Sequence, residues 1–165
     1  MKLLTPLFRF RKASDIPVSF FKEQGIKNII LDIDNTLALH NVGEVYEGIS
    51  PWLQSLKDEG FGLIILSNNK EPRIAPFAEK IGLEYEGKGG KPLKRGYSNI
   101  LKNKNWSACE TASVGDQIFT DILGANRLKI TSVFVDPIAP EKKLFFKFKR
   151  ALEKPILKNK TYYDI

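Results

Sequence analysis

The chain of 165 residues is long enough for one domain with a substantial core, and its single cysteine excludes an intrachain disulfide, as suits a reducing compartment. No apolar run approaches the roughly 20 residues of a membrane-spanning helix, and the N-terminus is too interrupted for a secretory signal, so we expect one cytoplasmic domain over residues 1–165. The net charge of +7 lies at the two ends, because Met1–Lys12 carries +4 and Ala139–Lys160 carries +6, which leaves −3 for the remainder.

Short apolar runs that alternate with helical segments define the predicted fold. In chain order, the elements are a strand over Asn28–Ile33, a helix over Ile49–Glu59, a strand over Gly62–Leu66, a helix over Glu71–Ile81, a strand over Leu83–Tyr85, a helix over Pro92–Lys102, a strand over Ala112–Val114, a helix over Ile118–Leu128 and a strand over Ile130–Val135. Such alternation indicates βαβ crossovers. We therefore predict an α/β fold with a three-layer, Rossmann-like parallel sheet of about five strands.

Polar side chains follow four of these strands, at the edge where open parallel sheets bind their ligands. They are Asp32 and Asp34 after the first strand, Ser67 and Asn68 after the second, Lys91 after the third and Asp116 after the fourth. Carboxylates at the end of an apolar strand are costly to bury without a cation, and a second acidic pair, Asp116 and Asp121, follows a later strand. Since hard divalent cations such as Mg2+ take carboxylate ligands, the pattern predicts one metal site in a shared crevice.

In order and spacing, this pattern resembles the four motifs of the haloacid dehalogenase-like superfamily. The matching residues, between Lys27 and Val135, are Asp32-x-Asp34-x-Thr36, Ser67, Lys91 and Gly115-Asp116-x4-Asp121. The variants Asp-Ile-Asp-Asn-Thr, Ser-Asn-Asn, Lys-Pro and Gly-Asp-Gln-x-x-Thr-Asp are more similar still to the YqeG-type phosphatases of subfamily IIIA, which include relatives of the mitochondrial phosphatidylglycerophosphate phosphatase. Caps and turns could account for any one acid, but not for a serine and a lysine at the required strand ends.

The resemblance implies a magnesium-dependent phosphomonoester hydrolase that works through an aspartyl-phosphate intermediate. Asp32 would be the nucleophile, which splits one difficult hydrolysis into two easier steps. Asp34 would be the general acid that protonates the leaving alkoxide and the base that later activates water. A side-chain oxygen of Asp32, the backbone carbonyl of Asp34 and the carboxylate of Asp116 would hold the Mg2+ ion.

The remaining motif residues are implied to bind the phosphate and to support the site. Ser67 and Asn68 would bind phosphate oxygens. Lys91, both catalytic and substrate-binding, would neutralise the charge shared by the nucleophile and the phosphate. Thr36 would fix the geometry of its loop, and Asp121 would support the metal site through a bound water.

Three further residues near the motifs are assigned no single role by the sequence. Lys70 and Arg73 either bind a substrate anion or belong to an exposed helix start. His40, the only histidine, is interpreted as a solvated loop residue.

The spacing of the motifs leaves no room for a cap domain over the site. Only Leu37–Ile49 separates the first motif from the next helix, and Asn69–Gly90 holds little beyond one helix and one strand. An open site suits a phosphate that is presented by a larger surface, such as a phospholipid, a protein or a nucleic-acid end.

Both ends of the chain combine apolar residues with bases, which is typical of a segment that lies on anionic lipid. Amphipathic elements that pack on the sheet would have the same pattern, so the two interpretations stay open. The N-terminal set is Leu3, Leu4, Leu7, Phe8 and Phe10 with Lys2, Arg9 and Arg11, and the C-terminal set is Leu144, Phe145, Phe146, Phe148, Leu152, Ile156 and Leu157 with neighbouring lysines.

We therefore expect a phosphatidylglycerophosphate phosphatase that makes phosphatidylglycerol and is peripheral on the inner face of the membrane. One alternative is a capless phosphatase that acts on protein or nucleic-acid phosphates, although the chain has no aromatic-basic RNA motif and no nucleic-acid partner is expected. The other is a non-catalytic binding module of the same fold. The complete set Asp32, Asp34, Ser67, Lys91 and Asp116 argues against that module.

Overall fold

A computed structural model describes residues 2–40, 43–87 and 89–163, without the side chain of Lys2. The structure therefore does not describe the side chain of Lys2, one of the predicted N-terminal bases. Both ends of the predicted domain also lie outside the described residues. The strands of the single sheet are β1 (Phe8–Phe10), β2 (Asn28–Leu31), β3 (Gly62–Leu66), β4 (Glu84–Glu86), β5 (Thr111–Gly115) and β6 (Thr131–Val135). Within the described ranges they pair in the order β1-β6-β5-β2-β3-β4, and every pair is parallel.

Helices connect these strands, as predicted. They are α1 (Val18–Glu23), α2 (Ile49–Asp58), α3 (Glu71–Ile81), α4 (Lys94–Lys104), α5 (Leu123–Asn126) and α6 (Leu144–Lys158). The predicted helix over Ile118–Leu128 is divided into a π-helical turn, Ile118–Ile122, and the short α5. The α/β fold is confirmed, with one more strand than predicted because β1 joins the edge of the sheet.

The two faces of the central strand β2 contact different helices, which gives the predicted three layers. Ile29 and Leu31 lie in one apolar cluster with Leu53 of α2. Ile30 points to the other face and packs with Ile100 of α4. Because both faces are covered, the strand is apolar without alternation.

Within the N-terminal segment, Phe8–Phe10 form a partly buried edge strand. Phe8 and Phe10 both make edge-to-face contacts with Phe20, at centroid distances of 4.9 and 5.0 Å. Arg9 points to the other side and forms an ion pair of 2.9 Å with Asp136. The alternation of aromatic and basic residues thus has the period of two of a strand, so packing on the sheet describes Phe8–Phe10, whereas Leu3 and Leu7 remain exposed.

The C-terminal helix α6 packs beside the carboxyl ends of the strands. Ile156 and Leu157 in its last turns contact a cluster that includes Ile118 and Phe134. The apolar residues of its first half remain largely exposed. Within the described ranges, no helix combines the length and the apolar content that crossing a bilayer requires.

No cap domain is present in the part of the chain that the structure describes. The connection from β2 to α2 contains two isolated bridges, from Asp34 to Ala38 and from Ala38 to Val45. Residues 69–90 contain α3 and β4. The carboxyl edge of the sheet is therefore open.

Candidate active site

Five of the predicted site residues line one crevice at the carboxyl edge of the sheet. Its volume is about 260 Å3, and its walls come from the segments after β2, β3 and β5, the loop before α4 and the first half of α6. The lining residues are Asp32, Asp34, Ser67, Asn68 and Lys91 of the predicted set, joined by His40, Asn69, Gln117, Thr120, Phe146 and Lys149.

Lys91 is buried between two carboxylates. Its Nζ donates hydrogen bonds of 2.6 Å to Oδ1 of Asp32 and 2.6 Å to Oδ1 of Asp121. Burial alone would lower the pKa of Lys91, but the two carboxylates outweigh that effect and raise its pKa above the usual value. The ammonium therefore stays charged beside the predicted nucleophile.

The backbone of Lys91 is held in place by Asn68. The Asn68 side chain donates to the Lys91 carbonyl at 2.8 Å and accepts from the Lys91 N–H at 2.7 Å. The preceding turn passes so close to β3 that a Cβ on Gly89 would lie 2.1 Å from the carbonyl oxygen of Ser67. Only glycine fits there, so Gly89 lets the backbone before Lys91 lie against β3 and directs the lysine into the crevice.

Asp34 lies at the mouth of the crevice and is bound by side chains from the loop after β3 and from α3. Arg73 donates to its Oδ1, and the Asn69 amide donates to its Oδ2. Nδ1 of His40 lies 3.7 Å from the same Oδ1. His40 therefore lines the crevice and Arg73 contacts Asp34 from α3, while the contact of Asn69 with Asp34 was not predicted from the sequence.

Three buried carboxylates form a cluster beneath the crevice. One ligand oxygen from each of Asp32, Asp116 and Asp121 lies within 4.8 Å of the other two. Burial raises the pKa of Asp32 to about 7, although the charge of Lys91 opposes the shift. Burial likewise raises the pKa of Asp116 well above its usual range, against the opposing charge of Arg150.

This cluster fits a divalent cation. Oδ1 of Asp116 is buried and, among the described residues, has no hydrogen-bond partner. A hard cation takes such oxygens as ligands and compensates several carboxylates at once. Asp32 and Asp116 of the predicted ligand set lie in the cluster, and Asp121 lies there with them, whereas the Asp34 side chain is paired with Arg73.

Comparison with known proteins identifies the family. Residues 12–129 match the family of haloacid dehalogenase-like hydrolases. The protein named Probable phosphatase YqeG from Bacillus subtilis (strain 168) is 32% identical over 136 residues, which cover 82% of this chain and 79% of that protein.

The chain belongs to the haloacid dehalogenase-like hydrolase family.

Solved structures share the same fold. A Listeria monocytogenes serotype 4b protein superimposes with a TM-score of 0.59 at 21% identity, over 72% of this chain and 85% of that one. The 3-deoxy-D-manno-octulosonate 8-phosphate phosphatase of Moraxella catarrhalis, solved with a magnesium ion, a phosphate ion and its sugar, superimposes with a TM-score of 0.52 at 15% identity, over 85% and 91% of the two chains. At these identities the likeness is one of fold. The family and the curated relative together make the protein a phosphatase.

The loop that carries the first motif of this hydrolase has a left-handed residue. Asn35 has φ of +59°, a conformation that asparagine and glycine tolerate best. Its side chain donates to Oε1 of Glu141 at 3.2 Å. Thr36 is buried beside it, and its hydroxyl has no partner among the described residues. The loop therefore places Thr36 away from solvent.

Arg150 of α6 reaches the acidic cluster of this hydrolase. Its guanidinium donates to Oδ2 and to the backbone carbonyl of Asp116. It also donates to Glu141 and Glu153, at 3.0 Å each. No sequence signal separates Arg150 from the lysines around it, and so its role was missed.

Proposed function

We propose that this protein is a magnesium-dependent phosphatidylglycerophosphate phosphatase, which releases the terminal phosphate and leaves phosphatidylglycerol. The observation that carries the proposal is the contact of 2.6 Å between Lys91 and Asp32 above a cluster of buried carboxylates, in a crevice open to solvent. The proposed place of action is the cytoplasmic face of the membrane, where the protein would be peripheral.

In the first proposed step, an oxygen of Asp32 attacks the phosphorus in line. The new bond between Asp32 and phosphorus forms as the ester bond to the glycerol oxygen breaks, and Asp34 donates its proton to that oxygen. In the second step, Asp34 accepts a proton from water as the water oxygen attacks the same phosphorus. Inorganic phosphate leaves, and the carboxylate of Asp32 is restored.

Neutral and cationic donors face the phosphate in this proposal. The Ser67 oxygen accepts the Asn69 N–H at 3.2 Å, which leaves the hydroxyl hydrogen for a phosphate oxygen. Lys91 supplies a fixed positive charge in a buried setting, where it is worth more than in water. Asn68 contributes by orienting Lys91. A Mg2+ ion held by Asp32, Asp116 and the Asp34 carbonyl would stabilise the charge on the transferring phosphoryl group.

The choice of a lipid substrate rests on the open crevice and on what lies beside it. Without a cap in the described residues, little encloses a free metabolite, whereas a headgroup presented by a bilayer is already positioned. Lys149 and Phe146 of α6 line the same crevice, so a cation and an aromatic ring adjoin the phosphate site. The motif variants also resemble a subfamily that includes relatives of a phosphatidylglycerophosphate phosphatase.

A phosphate-release assay on phosphatidylglycerophosphate in detergent micelles tests the proposal. The wild type should release phosphate with Mg2+ and not with a chelator. Asp32→Asn should be inactive, while Asp15→Asn, at an exposed acid that does not line the crevice, should match the wild type. Absence of release by the wild type would reject the lipid substrate, and equal release by Asp32→Asn would reject the nucleophile.

The same assay separates the alternatives. A phosphopeptide and a terminally phosphorylated oligonucleotide are tested beside the lipid at low and high salt. Preference for the oligonucleotide, with a steep fall in salt, would favour a nucleic-acid phosphatase. Preference for the phosphopeptide would favour a protein phosphatase.

A further inference from the structure

Between Leu144 and Leu152, helix α6 turns most of its large apolar side chains to solvent, whereas Ile156 and Leu157 in its last turns pack inward. Its inner side carries the ion-paired Arg150 and Glu153, and Glu153 is buried. Helices on the surface of a globular protein normally bury their apolar side instead. The exposed fractions of its outer side chains are 83% for Leu144, 67% for Phe145, 63% for Phe148 and 48% for Leu152.

Lysines flank this apolar face. Lys147, Lys154 and Lys158 are spaced by seven and four residues, so they share one side of the helix, and all three are exposed. Lys142 and Lys143 precede the first turn. In the described part of the chain, the ion pairs of this helix are those of Arg150, so the lysines keep their positive charge available.

The same helix is fixed to the catalytic crevice. Phe146 and Lys149 line the crevice, and Lys149 Nζ lies 3.0 Å from Oε1 of Gln117. Arg150, the next residue, is bonded to Asp116. The apolar face and the mouth of the crevice therefore hold a defined relation to each other.

We infer that α6 docks its apolar face on an anionic phospholipid bilayer, with the crevice mouth beside the headgroups. Phenylalanine and leucine side chains beside a row of lysines are what an interfacial helix uses on such a surface. A second copy of this chain would bring the same positive charge to the contact and be repelled. The inference rests on the proposed function, which places the substrate in a membrane, and adds the surface that meets it.

Sedimentation with lipid vesicles tests this docking without any substrate. The wild type should bind vesicles of equal parts phosphatidylglycerol and phosphatidylcholine and bind pure phosphatidylcholine weakly, with a loss of binding at high salt. The variant Phe145→Ser/Phe148→Ser/Leu152→Ser should bind the mixed vesicles at least about tenfold more weakly. The matched control Leu3→Ser/Leu7→Ser/Leu93→Ser, which alters equally exposed apolar residues elsewhere, should bind like the wild type.

Soluble p-nitrophenyl phosphate and gel filtration complete the test. The α6 variant should hydrolyse the soluble ester like the wild type, which shows that it is folded. The docking would be overturned if the wild type did not bind anionic vesicles, even if it hydrolysed the lipid in micelles. It would also be overturned if the control lost binding as the α6 variant does. A wild-type dimer that the α6 variant converts to a monomer would also overturn it, because a second copy would then cover the face. Vesicle binding without hydrolysis of the lipid in micelles would instead reject the proposed substrate alone.

Discussion

Arg150 of the C-terminal helix bonds both the side chain and the backbone carbonyl of Asp116, at the end of strand β5. The same guanidinium neutralises two further acids, Glu141 and Glu153. One cation therefore ties α6 and the loop before it to a carboxylate of the buried cluster. The stability of the C-terminal half and the geometry of the site depend on the same side chain.

Replacing Arg150 should destabilise the protein. Arg150→Met leaves Asp116 and two glutamates without their shared cation, and removing one partner of a buried ion pair costs about 3 kcal/mol in the free energy of unfolding. Urea denaturation monitored by circular dichroism measures this loss. Lys154→Met, an exposed lysine on the same helix, should leave the midpoint nearly unchanged, and equal effects of the two variants would contradict the prediction.

Removing the charge of Lys91 should abolish most of the catalysis. Lys91→Met leaves the charge of Asp32 and of an incoming phosphate uncompensated, so we expect kcat to fall by about 10²–10³. Phosphate release from a soluble ester gives the measurement. Lys94→Met, three residues away and exposed, serves as the control. If the Lys91→Met enzyme kept about a tenth or more of the wild-type kcat, the lysine would be dispensable.

The cation-free protein should lose stability as the pH rises from about 4 to about 7. Burial raises the pKa of Asp32 to about 7 and that of Asp116 well above its usual range, so between these pH values the folded state binds more protons than the unfolded state. The free energy of unfolding therefore decreases as these protons are lost. Added Mg2+ should stabilise the protein more at about pH 8, where these carboxylates are ionised, than at about pH 5, where they hold protons.

Thermal unfolding with a chelator and with Mg2+ across this pH range provides the measurement. Asp32→Asn should flatten the decrease, because the amide has no proton to lose. A cation-free protein that becomes more stable as the pH rises would refute the assignment of these pKa shifts.

The close approach of Gly89 to strand β3 should not tolerate a methyl group. A Cβ would lie 2.1 Å from the Ser67 carbonyl oxygen, so Gly89→Ala must displace the turn that carries Lys91, at a cost of about 1–3 kcal/mol. Both the unfolding midpoint and kcat should fall. Gly87→Ala is the matched control, because its nearest contact would be an ordinary 3.6 Å to Tyr85. Equal behaviour of the two variants would show that the turn can move freely.

The centre of the fold could be predicted because its signals are local. Strands such as Gly62–Leu66 are buried on both faces and are therefore continuously apolar, and polar residues must follow them at the ligand-binding edge. The convergence of Asp32, Ser67 and Lys91 on one crevice follows from the parallel order of the strands. Because β2 lies between β5 and β3 in the sheet, residues that are far apart in the sequence lie next to each other at its carboxyl edge.

The parts that were missed depend on long-range contacts. The sequence Phe8-Arg9-Phe10 fits a lipid-binding segment as well as an edge strand. Its pairing with β6 shows that it is a strand. Arg150 is one base among many on α6, and only the packing of that helix brings it to Asp116. Asn69 is the last residue of the Ser-Asn-Asn motif, but no role was predicted for it, because its contact with Asp34 depends on how two loops meet.

Lys91 has two acidic neighbours, and this sharing matters for the proposed catalytic cycle. When one Asp32 oxygen is bonded to phosphorus and the carboxylate has lost its charge, the ammonium still has Asp121 at 2.6 Å as a counter-ion. The lysine can then remain stationary while the charge beside it alternates between carboxylate and phosphoryl group. Asp121, which forms no bond to phosphorus, would thus keep the electrostatic environment of the intermediate close to that of the resting enzyme.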